Sequence, residues 1–288
     1  MTTSKEYLEP NLLATIVAAT RQSVRERERS CPMGELASEA AAKNRDERRF
    51  LGALTEPGRL NVIAECKGRS PSRGILCADY RPAEIAAAYE AHGAAAISVL
   101  TEPTFFDGSL EHLRAVQAAV SIPVLRKDFI VTPYQLFEAA ASGADAVLLI
   151  VAALEDSEIE DLLAQAKELH LGVLVEVHDM SELDRAIASD AEVIGVNNRD
   201  LRTLSVDLNA SRRLIERIPP GTVGVAESGL RTSDDLVELS AAGYGAFLVG
   251  ETLMKTADPG KTLRNLLSGA EVAGRGCAAQ GHDTEAES

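Results

Sequence analysis

Residues 144–177 read ADAVLLIVAALEDSEIEDLLAQAKELHLGVLVEV. An apolar run, ADAVLLIV, gives way to DSEIEDLLAQAKELH, whose apolar residues recur at helical spacing, and then to a second apolar run, LGVLVEV. Strands apolar on both faces and joined through a helix pair in parallel, with helices covering the sheet. The same unit repeats in both directions. NVIAECK, AAAISVL and IPVLRKD precede this stretch, and AEVIGVN, TVGVAES and GAFLVG follow it, making eight runs from residue 61 to 250. Between them lie PAEIAAAYEAHG, SLEHLRAVQAAV, PYQLFEAAASG, MSELDRAIAS, DLNASRRLIERI and TSDDLVELSAAG, and DPGKTLRNLLSGA follows the last run. Three of these segments close on glycine, as helix C-termini favour. Eight units in about 200 residues predict a (β/α)8 TIM barrel, an α/β fold. A doubly wound open sheet is the alternative.

The chain of 288 residues is 45% hydrophobic, enough for a sizeable core. A formal net charge of -15 argues against a nucleic-acid footprint and against anionic membrane, so an anionic small-molecule substrate has to be met by locally clustered cations. No apolar run approaches the roughly 18 residues of a spanning helix, and the opening MTTSKEYLEP lacks a signal layout, which predicts a cytoplasmic protein. Cys31, Cys66, Cys77 and Cys277 show no C-x-x-C spacing and read as reduced packing residues. Residues 1–49 read as a helical extension, with Leu8, Leu12, Ile16 and Ala19 on one stripe and RERER on a polar stretch, predicting a helix docked on the barrel of residues 50–268. Residues 269–288 carry too little apolar surface to order and are expected to form a disordered tail.

Charges interrupt the apolar runs at one end. PVLRKDFIV, residues 123–131, starts as a buried strand and then meets Arg126, Lys127 and Asp128. In isolation this is a surface loop. The pattern recurs: in a strand i and i+2 share a face, so Glu65 and Lys67 point one way and Cys66 the other. Lys127, Glu176, Asn197 and Glu227 likewise end their runs, and five such strands of eight converge where a barrel carries its active site. Clustered amines and carboxylates shift one another's pKa values and permit separate acid and base roles. No His-rich or Asp-rich cluster suggests a metal, and His178, at i+2 from Glu176, reads as an ordinary residue. Gly229 and Gly250 after the last two runs, with Ser70 in KGRSPSRG, predict a phosphate-binding end.

The motifs AECKGRSPSRG, ISVLTEPTFFDGS, PVLRKDFIV, VEVHD, IGVNNRDL, VAESG and FLVGETLM, in this order from about residue 60 to 255, resemble the indole-3-glycerol phosphate synthase family of tryptophan biosynthesis. The resemblance implies ring closure, decarboxylation and dehydration of 1-(2-carboxyphenylamino)-1-deoxyribulose 5-phosphate, with no cofactor. It implies Lys127 as general acid at the ketone, Glu176 as base, Lys67 on the substrate carboxylate with Glu65 fixing it, and Asn197, Glu227 and Ser228 orienting hydroxyls and amine. Ser70, Gly229, Gly250 and Glu251 match phosphate positions, and Arg199 falls among the substrate-binding positions. Phe106, Phe129, Leu100, Pro71, Leu148 and Leu204 match the walls around the aromatic ring. Arg126 and Asp128 are expected to turn outward in support of Lys127. Two residues depart from the family pattern: Gly68 replaces a basic or polar residue and suggests a looser first loop, and Glu251 is acidic beside the phosphate, so its side chain is expected to point away. The extension resembles the family's own, lying over the catalytic face. A monomer or weak homo-oligomer is expected. A class I aldolase, a phosphoribosylanthranilate isomerase and a noncatalytic binding barrel remain the rivals.

Overall fold

The structure, a computed structural model, describes residues 12–43, 45–46, 48–200 and 205–279, with side chains described as far as residue 269. Three helices come first: α1 (Leu12–Ser30), α2 (Met33–Ala41) and α3 (Arg48–Leu54). Eight parallel strands follow: β1 (Asn61–Cys66), β2 (Ala96–Leu100), β3 (Val124–Lys127), β4 (Ala146–Ile150), β5 (Gly172–Val177), β6 (Val193–Asn197), β7 (Val223–Glu227) and β8 (Ala246–Val249). Each lies within one of the apolar runs. Pairing of β8 with β1, from Asn61 opposite Ala246 to Ala64 opposite Val249, closes the barrel and removes the open-sheet alternative.

The connecting helices are α4 (Pro82–Ala91), α5 (Pro103–Phe106), α6 (Leu110–Ala119), α7 (Pro133–Ala141), α8 (Asp156–Glu168), α9 (Met180–Ala188), α10 (Asn209–Leu214) and α11 (Ser233–Ala241). After β8 come α12 (Glu251–Met254) and α13 (Pro259–Ala279). The three segments that end in glycine stop as expected, with Gly93, Gly143 and Gly243 at positive φ just past α4, α7 and α11. The tail expected over 269–288 falls, from residue 270 onward, outside the residues whose side chains are described.

Strand parity splits the core in two. Val62, Ala64, Cys66, Val147, Leu149 and Val175 face the helices, while Ile63, Leu125, Leu148, Leu174, Val193 and Val225 fill the barrel. Two residues further along, the inward positions become Glu65, Lys127, Glu176 and Glu227, and Asn197 holds the same parity as Val193. The polar cluster is therefore the top layer of the barrel interior. At the opposite end Phe50 and Leu54 of α3 are fully buried against it, and Asn61 Nδ2 donates to Leu54 O at 2.9 Å and Gly245 O at 3.2 Å. Among the described residues, the barrel is thus plugged at this end and opens at its C-terminal mouth.

The docking stripe on α1 differs from the expected one. Leu13, Ile16, Thr20 and Val24 are buried, Leu12 is half-buried and Ala19 is exposed, while Leu8 lies outside the described residues. Two polar residues explain the rotation. Thr20 sits on the buried face, and Arg27, one turn beyond Val24, grips the buried Glu138 of α7 at 2.6 and 3.0 Å. A hydrophobicity pattern cannot register a face that includes a threonine and an arginine.

Candidate active site

The C-terminal mouth holds a cleft of about 1100 Å³ of empty space, part of it open to solvent. Lys127 is its centre. Its Nζ donates to Glu227 Oε2 at 3.0 Å and lies 3.3 Å from Glu176 Oε2, with both carboxylates buried. Glu65 and Lys67 form an ion pair beside it, placed by the i, i+2 relation at the end of β1. Asn197 is buried at the end of β6, where its Oδ1 accepts the Arg199 N–H at 3.0 Å. Every strand-end residue expected at the site is therefore in this cluster, Glu227 lying beneath Lys127 rather than on the cleft wall. Glu176 is the penultimate residue of its strand, not the last.

Burial and charge divide the carboxylates. Burial disfavours ionisation of Glu176, but Lys127 and then His178 outweigh it and hold the carboxyl below its ordinary range. Glu65 is depressed in the same way, Lys67 and Lys127 overcoming burial. Glu227 moves oppositely: burial first, with Glu176 adding to it against Lys127, pushes it up to about 8. Two adjacent carboxyls cannot both ionise cheaply, so Glu227 keeps the proton and Glu176 the charge. For Lys127, burial favours the neutral amine, yet Glu227, Glu176 and Glu65 prevail and raise its pKa, so it is an ammonium at neutral pH.

Two glycines make room for this cluster. A Cβ at Gly195 would overlap the Glu227 carboxylate, and one at Gly250 would overlap that of Glu65. Gly250 has φ -129°, so space rather than conformation fixes its identity. At the expected phosphate end, Ser228 and Gly229 both adopt positive φ, 64° and 81°, which for a serine is a strained backbone beside a cleft. Ser70 is buried on the same wall, within a hairpin of Arg69–Ser70 and Gly74–Ile75. Glu251 draws in cations: Arg73 Nε at 3.2 Å, Arg199 Nη2 at 3.0 Å and Lys255. Burial opposes its ionisation, but Lys255, Arg199 and Arg73 hold the pKa down. The side chain was expected to point away from this end; instead Glu251 lines the cleft, its charge met by these cations.

The apolar wall is formed by Leu100, Pro71, Leu148, Phe106 and Phe129, the two rings 6.2 Å apart, while Leu204 lies outside the described residues. The extension lies over the catalytic face as expected, and Leu12 and Ile16 of the expected stripe line the cleft together with Leu13, which sequence reading left off it. The first loop is not left loose by Gly68. Its carbonyl accepts Leu76 N–H at 2.8 Å and Cys77 N–H at 3.2 Å, and a Cβ there would press on the Tyr80 ring. Arg126 turns out of the barrel as expected, but into the helix layer and not into solvent. It donates to Gln135 O at 2.7 Å, Asp128 Oδ2 at 2.8 Å, Thr101 Oγ1 at 3.1 Å and Glu138 Oε2 at 3.2 Å. Asp128 is buried and lines the cleft. With Arg27 on Glu138, this network ties α1 to the strand that carries Lys127. Cys66 faces the helices, away from the cleft.

A family model described as indole-3-glycerol phosphate synthase matches residues 13–266. The chain is 46% identical over 262 residues to an indole-3-glycerol phosphate synthase of Laribacter hongkongensis, covering 90% of this chain and 99% of that one. It is 50% identical over 256 residues to indole-3-glycerol phosphate synthase 2 of Streptomyces coelicolor, covering 89% and 98%. Among solved structures, thiamine phosphate pyrophosphorylase from Pyrococcus furiosus superposes with a TM-score of 0.57 at 19% identity, covering 74% of this chain and 96% of that one. That likeness concerns the barrel alone.

Proposed function

The chain belongs to the indole-3-glycerol phosphate synthase family, and we propose that its cleft performs the family's reaction through the residues described above. The reaction converts 1-(2-carboxyphenylamino)-1-deoxyribulose 5-phosphate into indole-3-glycerol phosphate, carbon dioxide and water, the work of a carboxy-lyase in tryptophan biosynthesis. The observation that carries the assignment is Lys127, an ammonium held between two buried carboxyls on the same cleft as an apolar wall and a cation-rich end. Aromatic ring, ketone and phosphate each have a matching surface.

The aryl carbon that bears the carboxylate is a poor nucleophile, so the ketone must be made electrophilic. Lys127 gives its proton to the ketone oxygen as the carbon–carbon bond forms. Carbon dioxide then leaves its bonding electrons in the ring, which restores aromaticity. Dehydration follows: the hydroxyl made in the first step departs as water with a proton from Lys67, and Glu176 takes the proton from the carbon beside nitrogen. Before that step Lys67, fixed by Glu65, holds the substrate carboxylate. Asn197, Ser228 and protonated Glu227 orient the hydroxyls and amine. Ser70 and the backbone at Gly229 and Gly250 receive the phosphate, with Arg73 and Arg199 supplying positive charge. The ring packs on Phe106 and Phe129 beneath Ile16.

No described helix is long and apolar enough to cross a membrane. We assign the enzyme to the cytoplasm. The segment before β1 serves in this reading as roof and plug of the barrel. The test follows indole fluorescence on mixing the chain with the carboxyphenylamino-deoxyribulose phosphate. Lys127→Ala should cut turnover by roughly 10² to 10⁴, the range of a lost general acid. Retention of more than about a tenth of wild-type kcat would remove Lys127 from that role.

A further inference from the structure

His178 follows β5 by one residue, so it shares a side with Glu176 at i+2. It is held from behind by Glu182, the third residue of α9. Glu182 Oε2 accepts both the His178 backbone N–H at 2.7 Å and lies 3.0 Å from ring Nδ1. Glu182 is itself fixed because its own N–H donates to the helix-capping Asp179 at 3.0 Å. With Nδ1 facing a carboxylate, that nitrogen carries a proton. The other nitrogen, Nε2, is buried, lacks a hydrogen-bond partner and sits 3.5 Å from Glu176 Oε1. A lone pair beside a carboxylate oxygen is repulsive, so the two flanking carboxylates favour a proton on Nε2 as well, and with it the imidazolium form of His178.

We propose that His178 is a positioning residue for the reaction, clamped by Glu182 and pressed against Glu176, so that Glu176 rather than its neighbour Glu227 is the charged member of the pair. This rests on the reading of Glu176 as the base. Glu176 and Glu227 both approach Lys127 through their Oε2 atoms, at 3.3 and 3.0 Å, so Lys127 alone does not distinguish them. His178 does, because its ring reaches Glu176 Oε1, whereas Glu227 Oε1 has no hydrogen-bond partner. The titratable groups facing the ring are Glu176 on β5, Glu182 on α9 and Glu227 on β7, with Lys127 of β3 beyond the Glu176 carboxylate. Burial would lower the His178 pKa, but Glu182 and Glu176 prevail and raise it. The arrangement is an orienting carboxylate, an imidazole and a reacting group in a row.

The experiment measures kcat and KM against pH for the full chain as wild type, His178→Ala, His178→Gln and Glu176→Gln. Without His178 the base loses a cation, so its pKa rises. The acidic limb of kcat in His178→Ala should move up by about one pH unit, giving roughly a tenfold loss on the acidic side of the limb that is recovered as pH rises toward neutrality. KM should stay within about threefold. His178→Gln can keep a donor near Glu176 but not the charge, and should show the same displaced limb with its melting temperature retained. Glu176→Gln should be poor at every pH. If both His178 variants fold and their limbs superimpose on that of wild type, or if their kcat falls equally at all pH values, the positioning role is overturned while the base stands. Substantial activity in Glu176→Gln would overturn both.

Discussion

Replacing Glu227 with Gln should make the protein's stability less sensitive to pH. The Glu227 carboxyl is fully buried, and burial, reinforced by Glu176, pushes it up to about 8 from an ordinary 4.5. Between those values the folded chain holds a proton that the unfolded chain has lost. The unfolding free energy changes with pH as 2.303RT times the protons bound unfolded minus those bound folded, which is negative here. The contribution is complete below the unfolded value and lost as pH rises through the folded one. At about 1.36 kcal/mol per pKa unit, the loss between pH 5 and 8 is on the order of 3 kcal/mol. Gln has the shape of the protonated acid and no proton to lose. Urea unfolding of both proteins at pH 5, 6, 7 and 8 isolates the term, because most other titrating groups cancel in the difference. The stability of Glu227→Gln relative to wild type should rise by on the order of 3 kcal/mol across that range. A difference that stays flat, or falls, would refute the proton assignment on which the division of roles between Glu227 and Glu176 depends.

Two further outcomes concern the phosphate end. Gly250→Ala puts a Cβ into the Glu65 carboxylate, so steady-state kinetics should show kcat falling by about tenfold or more together with a rise in KM; an unchanged kcat would mean Glu65 accommodates the methyl group without moving Lys67. Glu251→Ser removes the partner of Arg73, Arg199 and Lys255 but leaves the backbone donors, so KM should stay within about threefold; a change beyond tenfold, about 1.4 kcal/mol, would place the carboxylate itself in phosphate recognition.

The barrel was legible because its signal is redundant. Eight apolar runs each contain a strand, and the glycines closing α4, α7 and α11 mark real helix ends. Single helices carry less redundancy. The segment 207–218 is helical as α10 and a 3-10 turn over Ile215–Arg217. The stripe on α1 came out rotated because its buried face runs through Thr20 toward the half-buried Arg27, which is held by Glu138, a residue 111 positions away. Periodicity reports what a helix buries when burial is apolar. It is silent when a long-range ion pair supplies the contact.

The polar layer was legible for a geometric reason: strand period 2 fixes the face, so a charge in step with inward apolar residues must point into the barrel. That rule found Glu65, Lys127, Glu176, Asn197 and Glu227 without any contact information. It also accounts for Arg126, one residue out of step, which leaves the barrel yet stays buried among Thr101, Asp128, Gln135 and Glu138. What parity cannot carry is distance across the layer. In the sequence Gly195 looks like an ordinary strand glycine and Gly250 marks the phosphate end, and only the position of a carboxylate from a neighbouring strand shows that each also leaves room for that carboxylate. His178 shows the same limit. Its step of two from Glu176 was visible, but without the clamp from Glu182 a lone histidine after a strand has no stated partner, and an imidazole that helps to tell two neighbouring carboxyls apart reads as an ordinary residue.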